Sequence, residues 1–232
     1  MVGATRKNRA KKYPWAIVQY DDRVLSNIDL DLMARNREYC KKHRYQYIFI
    51  SEGYDKIPPY WRKTHLVKDL LMTDKYKGIL WLDTDACVFD MDTDACVFDM
   101  DRKLSTIELA KYDFYFSKDK HGSKFCAGVW MVKNTLMGKE IMTKWMDSYD
   151  PESWWKKNGV WRTNNGWAGP MYEQGAFEKQ ILPEYIKHMK EYPHTMLQSI
   201  DWNNPETFIL HFYYIKASRK NFLNTYPLIE DI

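Results

Sequence analysis

The sequence predicts an α/β single domain with a mixed, mostly parallel sheet flanked by helices. Three observations carry that reading. Over residues 14–82 short apolar runs alternate with helix-period stretches in the order strand, helix, strand, helix, strand. The third run, Ile79-Leu80-Trp81-Leu82, is apolar at every position, the pattern of a fully buried strand. Hydrophobic residues make up 45% and aromatics 16% of the 232 residues, enough for a sizeable core and too apolar for a disordered chain.

Each element follows in turn. Residues 14–20 (PWAIVQY) predict a first strand, with Asp21, Asp22 and Arg23 at its end. Residues 26–43 predict a helix capped by Ser26 or Asn27, with Ile28, Leu32 and Met33 apolar. Residues 46–51 (QYIFIS) predict a second strand, and Gly53 and Pro58-Pro59 break the chain after it. A helix is expected over 61–74, with Leu66, Leu70 and Leu71 on one face, and then the strand 79–82. Farther on, 113–116 and 128–132 are expected strands and 135–147 a helix. The Trp-, Asn- and Gly-rich stretch 151–170 is expected as loop, 172–180 opens a helix, and 207–214 is a late strand carrying His211. In such sheets ligands bind beyond the carboxyl ends of the strands, where Asp21 and the Asp83–Asp85 pair fall.

The net charge of +4 comes largely from Arg6, Lys7, Arg9, Lys11 and Lys12. Residues 1–13 are therefore read as a basic flexible tail and 14–232 as the domain; no basic-aromatic motif follows to suggest a nucleic-acid partner. No stretch approaches the roughly 18 apolar residues of a membrane span, and the N-terminus has no apolar core of a signal peptide. The cysteines, Cys40, Cys87, Cys96 and Cys126, include no C-x-x-C pair, which suits a reducing, cytoplasmic setting.

Residues 83–91 read DTDACVFDM, and residues 92–100 repeat the same nine letters. Solenoid repeats are longer and drift in sequence, so this is read as a tandem duplication inserted into an ordinary domain. Only the first copy follows ILWL. Using the second would bury Asp90 where Trp81 otherwise sits, a costly exchange. The first copy is therefore expected to keep the site while the extra residues bulge out, since lengthening a loop costs only about 0.6 kcal/mol per doubling.

Asp83-Thr84-Asp85, delivered by an apolar strand, needs a cation or water to offset its charge. A divalent cation bound together with a diphosphate answers that need; oxygen ligands suit Mn²⁺ or Mg²⁺, which neutralises a leaving nucleoside diphosphate. Read this way, the chain binds a nucleotide-sugar.

The chain after residue 14 resembles the glycosyltransferases of the GT-A fold, in particular the galactosyl/xylosyltransferase type. The likeness rests on ordered motifs: Trp61-Arg62-Lys63, about twenty residues before the metal motif; Trp81-Leu82-Asp83-Thr84-Asp85-Ala86; Cys126-Ala127-Gly128 running to Lys133-Asn134; Glu173-Gln174-Gly175-Ala176-Phe177; and His211-Phe212. The resemblance implies that Asp85 and His211 bind the metal, with Asp83 on the metal through water or on the ribose. It implies Gln19, Tyr20 and Asp21 at base and ribose, and Lys63 at phosphate or ribose. Glu173 and Gln174 become the catalytic candidates near the anomeric carbon of a retaining reaction. Cys126 stands where the family commonly has Asn, and Lys133 is the family's basic position. Within the family the motifs are most similar to the rhamnosyltransferase domain that decorates a chlorella-virus capsid. That similarity implies UDP-L-rhamnose, Mn²⁺ and a capsid N-glycan acceptor at xylose, in the host cytoplasm.

Asp90, Asp92 and Asp94 add negative charge near the site, so activity is expected to fall or vanish with the fold intact. Two other readings stand beside the transferase: a nucleotide-sugar-binding protein without turnover, and a phosphatase of the haloacid-dehalogenase type with Asp83 as nucleophile and Asp85 as acid.

Overall fold

The computed structural model describes residues 14–89, 101–119, 122–213 and 216–225. The basic segment 1–13, the last two residues of the first DTDACVFDM copy and all of the second copy lie outside these, and with them the expected tail and bulge.

In chain order the elements are β1 (Ala16–Tyr20), α1 (Asn27–His43), β2 (Gln46–Ile50), α2 (Pro59–Met72), β3 (Gly78–Leu82), β4 (Ala86–Val88), α3 (Leu104–Ile107), β5 (Phe114–Ser117), β6 (Val129–Lys133) and α4 (Leu136–Asp147). A hairpin follows, β7 (Trp155–Lys157) and β8 (Val160–Arg162), then α5 (Glu173–Ala176), a π-helical stretch Phe177–Ile181, α6 (Leu182–Tyr185), β9 (Met189–Tyr192), α7 (His194–Leu197), β10 (Ile209–His211) and α8 (Lys216–Thr225).

The main sheet has the order β2-β1-β3-β6-β5-β9. The pairs β1–β2, β1–β3 and β5–β9 are parallel, whereas β6 runs antiparallel to both β3 and β5. This is the mixed, mostly parallel sheet the sequence predicts. β3 is buried along its whole length, as its uninterrupted apolar letters require. α1 starts where expected because Ser26 and Asp29 form a reciprocal capping box, and it ends on Arg44 in the left-handed conformation. Arg219 of α8 pairs with Asp29 and ties the late helix to this start.

Three regions depart from expectation. The segment 151–170 is not all loop: Asn158 (φ 53°) and Gly159 (φ 77°) take the paired left-handed geometry of a tight hairpin turn between β7 and β8. The late strand is shorter than 207–214, and it leaves the main sheet to pair antiparallel with β4, placing His211 opposite Ala86. β9 is a strand because it docks parallel on β5 at the sheet's edge, a tertiary cause its letters do not advertise. Cys40, Cys87 and Cys126 are buried free thiols, and burial pushes Cys40 and Cys87 up to about 12, far from reactive.

Candidate active site

The site lies where β3 ends. Asp83 is fixed by its backbone: its N–H donates to the Gly128 carbonyl (2.8 Å), and its carbonyl accepts from Ala86 N–H (2.9 Å) and the Gln19 amide (3.1 Å). Its Oδ1 accepts from the Lys63 ammonium (3.0 Å) and the Trp81 indole N–H (2.8 Å). No described residue donates to Oδ2. Asp85 sits two residues on, and the β4–β10 pairing carries His211 to it, Nε2 lying 3.2 Å from Asp85 Oδ1. One ligand atom each from Asp83, Asp85 and His211 falls within 4.8 Å of the others. Two carboxylates and an imidazole at that spacing fit a divalent cation.

A residue the sequence reading missed sets the imidazole. Gln198 is fully buried, and its Nε2 donates to the Val129 carbonyl (2.9 Å). Its Oε1 therefore faces His211 Nδ1 at 2.6 Å and accepts that proton. With Nδ1 protonated, the Nε2 lone pair of the neutral ring points at the carboxylates, the orientation a metal ligand needs. Gly128 makes room for the ring: a Cβ there would lie 2.1 Å from His211 Cε1. Burial alone would lower the His211 pKa. The Asp85 carboxylate outweighs it and pushes the group up to about 10, so without a cation the pair is imidazolium and carboxylate. Burial tends to raise Asp85, but His211 holds it below the usual range.

Lys63 is the hinge between this cluster and Glu173. It is 8% exposed, bonded to Asp83 and to the Ala127 carbonyl (3.1 Å), and 3.4 Å from Glu173 Oε1. Burial opposes its charge, and the two carboxylates more than restore it. Burial pushes Glu173 upward while Lys63 pulls it back. Both helices deliver these groups from near their N-termini, Lys63 as the fifth residue of α2 and Glu173 as the first of α5.

The remaining predicted residues divide in two. Gln19 is fully buried, its Oε1 accepting from Tyr47 (2.7 Å) and Asn36 (3.3 Å), so it braces β3 from behind. Gln174 Oε1 accepts from Ala127 N–H (3.0 Å) and likewise supports the strand entry. Asp21 is held low: burial would raise it, but donors from Arg23 and from Thr84 (2.7 Å) prevail. Tyr20 stays half-exposed, accepting from Arg62 (2.8 Å) and donating to the Gly53 carbonyl (3.0 Å). Arg62 also pairs with Asp22. Lys133 caps the carbonyls of Leu109 and Ala110, far from any ligand role.

No family model matches the chain, and no curated protein matches it in sequence. Solved structures do. A glycosyltransferase involved in glycosylation of the major capsid of PBCV-1 superposes with a TM-score of 0.65 at 14% identity, covering 91% of this chain and 99% of that one. The apo form of the glycosyltransferase GlyE of Streptococcus pneumoniae TIGR4 gives a TM-score of 0.51 at 13% identity over 95% of this chain and 61% of that one. At these identities the likeness is one of fold, and the fold is the GT-A-like architecture the sequence predicts.

Proposed function

We propose that this chain is a metal-dependent glycosyltransferase that moves a sugar from a UDP-sugar to a glycan with retention of configuration. The observation that carries the reading is the convergence of Asp83, Asp85 and His211 at the end of β3, with Lys63 joining that cluster to Glu173. Asp85 and His211 would hold Mn²⁺ or Mg²⁺, and the open Oδ2 of Asp83 would complete the set. The cation, when bound, offsets the charge of the departing diphosphate. Lys63 keeps Asp83 oriented and lies beside the phosphates. Glu173, kept close to Lys63 in a dry setting, stabilises positive charge at the anomeric carbon as the bond to UDP lengthens. Tyr20 and Asp21 border the nucleoside.

The finer terms extend the same reading. The capsid role of the PBCV-1 structure and the motif resemblance favour UDP-L-rhamnose as donor, Mn²⁺ as cation and a capsid N-glycan as acceptor. The phosphatase reading is weaker, because Asp85, its general acid, is paired with His211 and held below the usual carboxylate range. The binding-without-turnover reading is retained for the duplicated chain: Asp90, Asp92 and Asp94 come after β4 in the sequence, and their charge would compete with a diphosphate.

The test is a panel of UDP-sugars, including UDP-L-rhamnose, incubated with Mn²⁺ and with this chain or its deletion of residues 92–100. Free UDP and the anomer of the first-formed sugar are measured. Chelator-sensitive UDP release, greater in the deletion chain, is the expected result. No such release from either chain with any donor would contradict the transferase reading, and equal release from both would contradict the inhibitory role of the duplication.

A further inference from the structure

Four aromatic rings stand beside the Lys63–Glu173 pair and take no part in it. Tyr60 lies three residues before Lys63 on α2, hence on the same face. Tyr172 immediately precedes Glu173. Trp154 and Trp167 complete the group. Tyr60 lies 4.9 Å from Tyr172 and 5.1 Å from Trp167, centroid to centroid, and Tyr172 lies 5.3 Å from Trp167 and 5.1 Å from Trp154. The segment is pinned in place. The indole N–H groups of Trp61 (2.9 Å) and Trp154 (3.1 Å) both donate to the Met171 carbonyl. Gly175 lets the loop press on α5, since a Cβ there would lie 2.2 Å from the Gly169 carbonyl oxygen and 2.4 Å from that of Ala168.

Trp167 is nevertheless 64% exposed, against the usual deep burial of tryptophan. A broad ring, held still and left open to solvent, has already lost the mobility that binding would otherwise cost. Two polar groups earlier in the same segment, Trp161 Nε1 and Thr163 Oγ1, are buried and bonded to no described residue.

We infer that Tyr60, Trp167 and Tyr172 form the platform on which a pyranose ring of the acceptor glycan stacks. The inference rests on the transferase reading. A pyranose offers an apolar C–H face to the rings and a rim of hydroxyls that stay in contact with water. Exposed Lys156, Lys157 and Arg162 on the adjoining hairpin argue against the cation that an aromatic cluster would otherwise suit. Because Tyr60 lies on α2 three residues before Lys63 and Tyr172 directly precedes Glu173, a sugar seated there lies next to the transfer site.

Saturation-transfer NMR on the full chain, with UDP and Mn²⁺ present, tests this using methyl β-D-xylopyranoside, methyl β-D-glucopyranoside and methyl β-D-galactopyranoside. The wild type should transfer saturation to the ring C–H protons of at least one of them. Trp167→Ala should weaken that binding about tenfold, Trp167→Phe should restore most of it, and the UDP–Mn²⁺ affinity and melting temperature should be unchanged. No transfer to any pyranoside, or equal transfer from Trp167→Ala, would overturn the platform. Pyranoside binding that is lost in Trp167→Ala in a protein that does not bind UDP would support the platform and sink the transferase reading instead.

Discussion

At the end of β3 the polar side chains hold one another in a lattice built around buried groups: His211 on Gln198 and Asp85, Lys63 on Asp83 and Glu173, Asp21 on Thr84 and Arg23. Along residues 154–172, by contrast, rings pack edge to face, strands are three residues long, and Trp155, Val160 and Trp167 reach solvent. The first region is over-determined, because a group with several buried partners cannot move without stranding one of them. The second is fixed at a few points and otherwise open. Positioning a cation demands the first kind of construction, and accommodating a variable glycan is served by the second.

The sharpest way to break the contrast is Gly128→Ala. The added methyl group overlaps the His211 ring, so the ring or β6 must shift. Overpacking of this kind costs about 1–3 kcal/mol, and thermal melting should show it together with a loss of Mn²⁺ affinity by calorimetry. A variant with wild-type melting and metal binding would mean the site is looser than described.

Gln198 allows a finer cut. Gln198→Ala leaves His211 Nδ1 and the Val129 carbonyl without partners and should weaken Mn²⁺ binding about 10–100-fold. Gln198→Glu still accepts from Nδ1 but cannot donate to Val129. It should lose stability while keeping most of the metal affinity. Equal metal loss in both variants would assign Gln198 a merely structural role.

The next effect is a pH dependence. His211 ordinarily titrates near 6.5, and in the metal-free fold it holds its proton up to about 10. Between those values the folded chain binds more protons than the unfolded one, so the stabilisation is full below pH 6.5 and declines as pH rises. Asp85, held low, acts at the other end, where stability is lost as pH falls through its depressed value. The melting temperature should therefore drop from pH 6.5 to 9 without metal. Saturating Mn²⁺, which displaces the proton, should flatten the slope, as should His211→Gln. A flat metal-free profile would contradict the ion pair.

The smallest effect belongs to the open region. Trp155 of β7 is 42% exposed, and Trp155→Ala should change stability by less than about 0.5 kcal/mol. A larger loss would show that the hairpin is knit into the core.

Much of this was legible in the sequence, and for local reasons. β1, α1, β2, α2, β3, β6 and α4 fall within about two residues of expectation, because apolar period and capping residues such as Ser26 act within a few positions. β4 was hidden inside the duplicated DTDACVFDM, since Ala86–Val88 becomes a strand only by meeting β10. The hairpin had a signal in Asn158-Gly159, masked by strands of three residues, too short to show alternation. Gln198 had none. Its letter is ordinary for a loop, and its bond to His211 spans thirteen residues that only the fold closes. Gln19 shows the converse, since its place at a strand end did not reveal that Asn36 and Tyr47 would occupy its amide.

The central claim is that Asp83, Asp85 and His211 hold a cation that in turn holds a nucleoside diphosphate. Thermal melting with UDP, Mn²⁺, both and neither tests it most directly. At free ligand about 100 times Kd the stabilisation should be about 2.7 kcal/mol, a rise of several degrees. It should require both ligands together and disappear in Asp85→Asn. A protein that melts cooperatively yet shows no joint shift, with or without residues 92–100, would contradict the account.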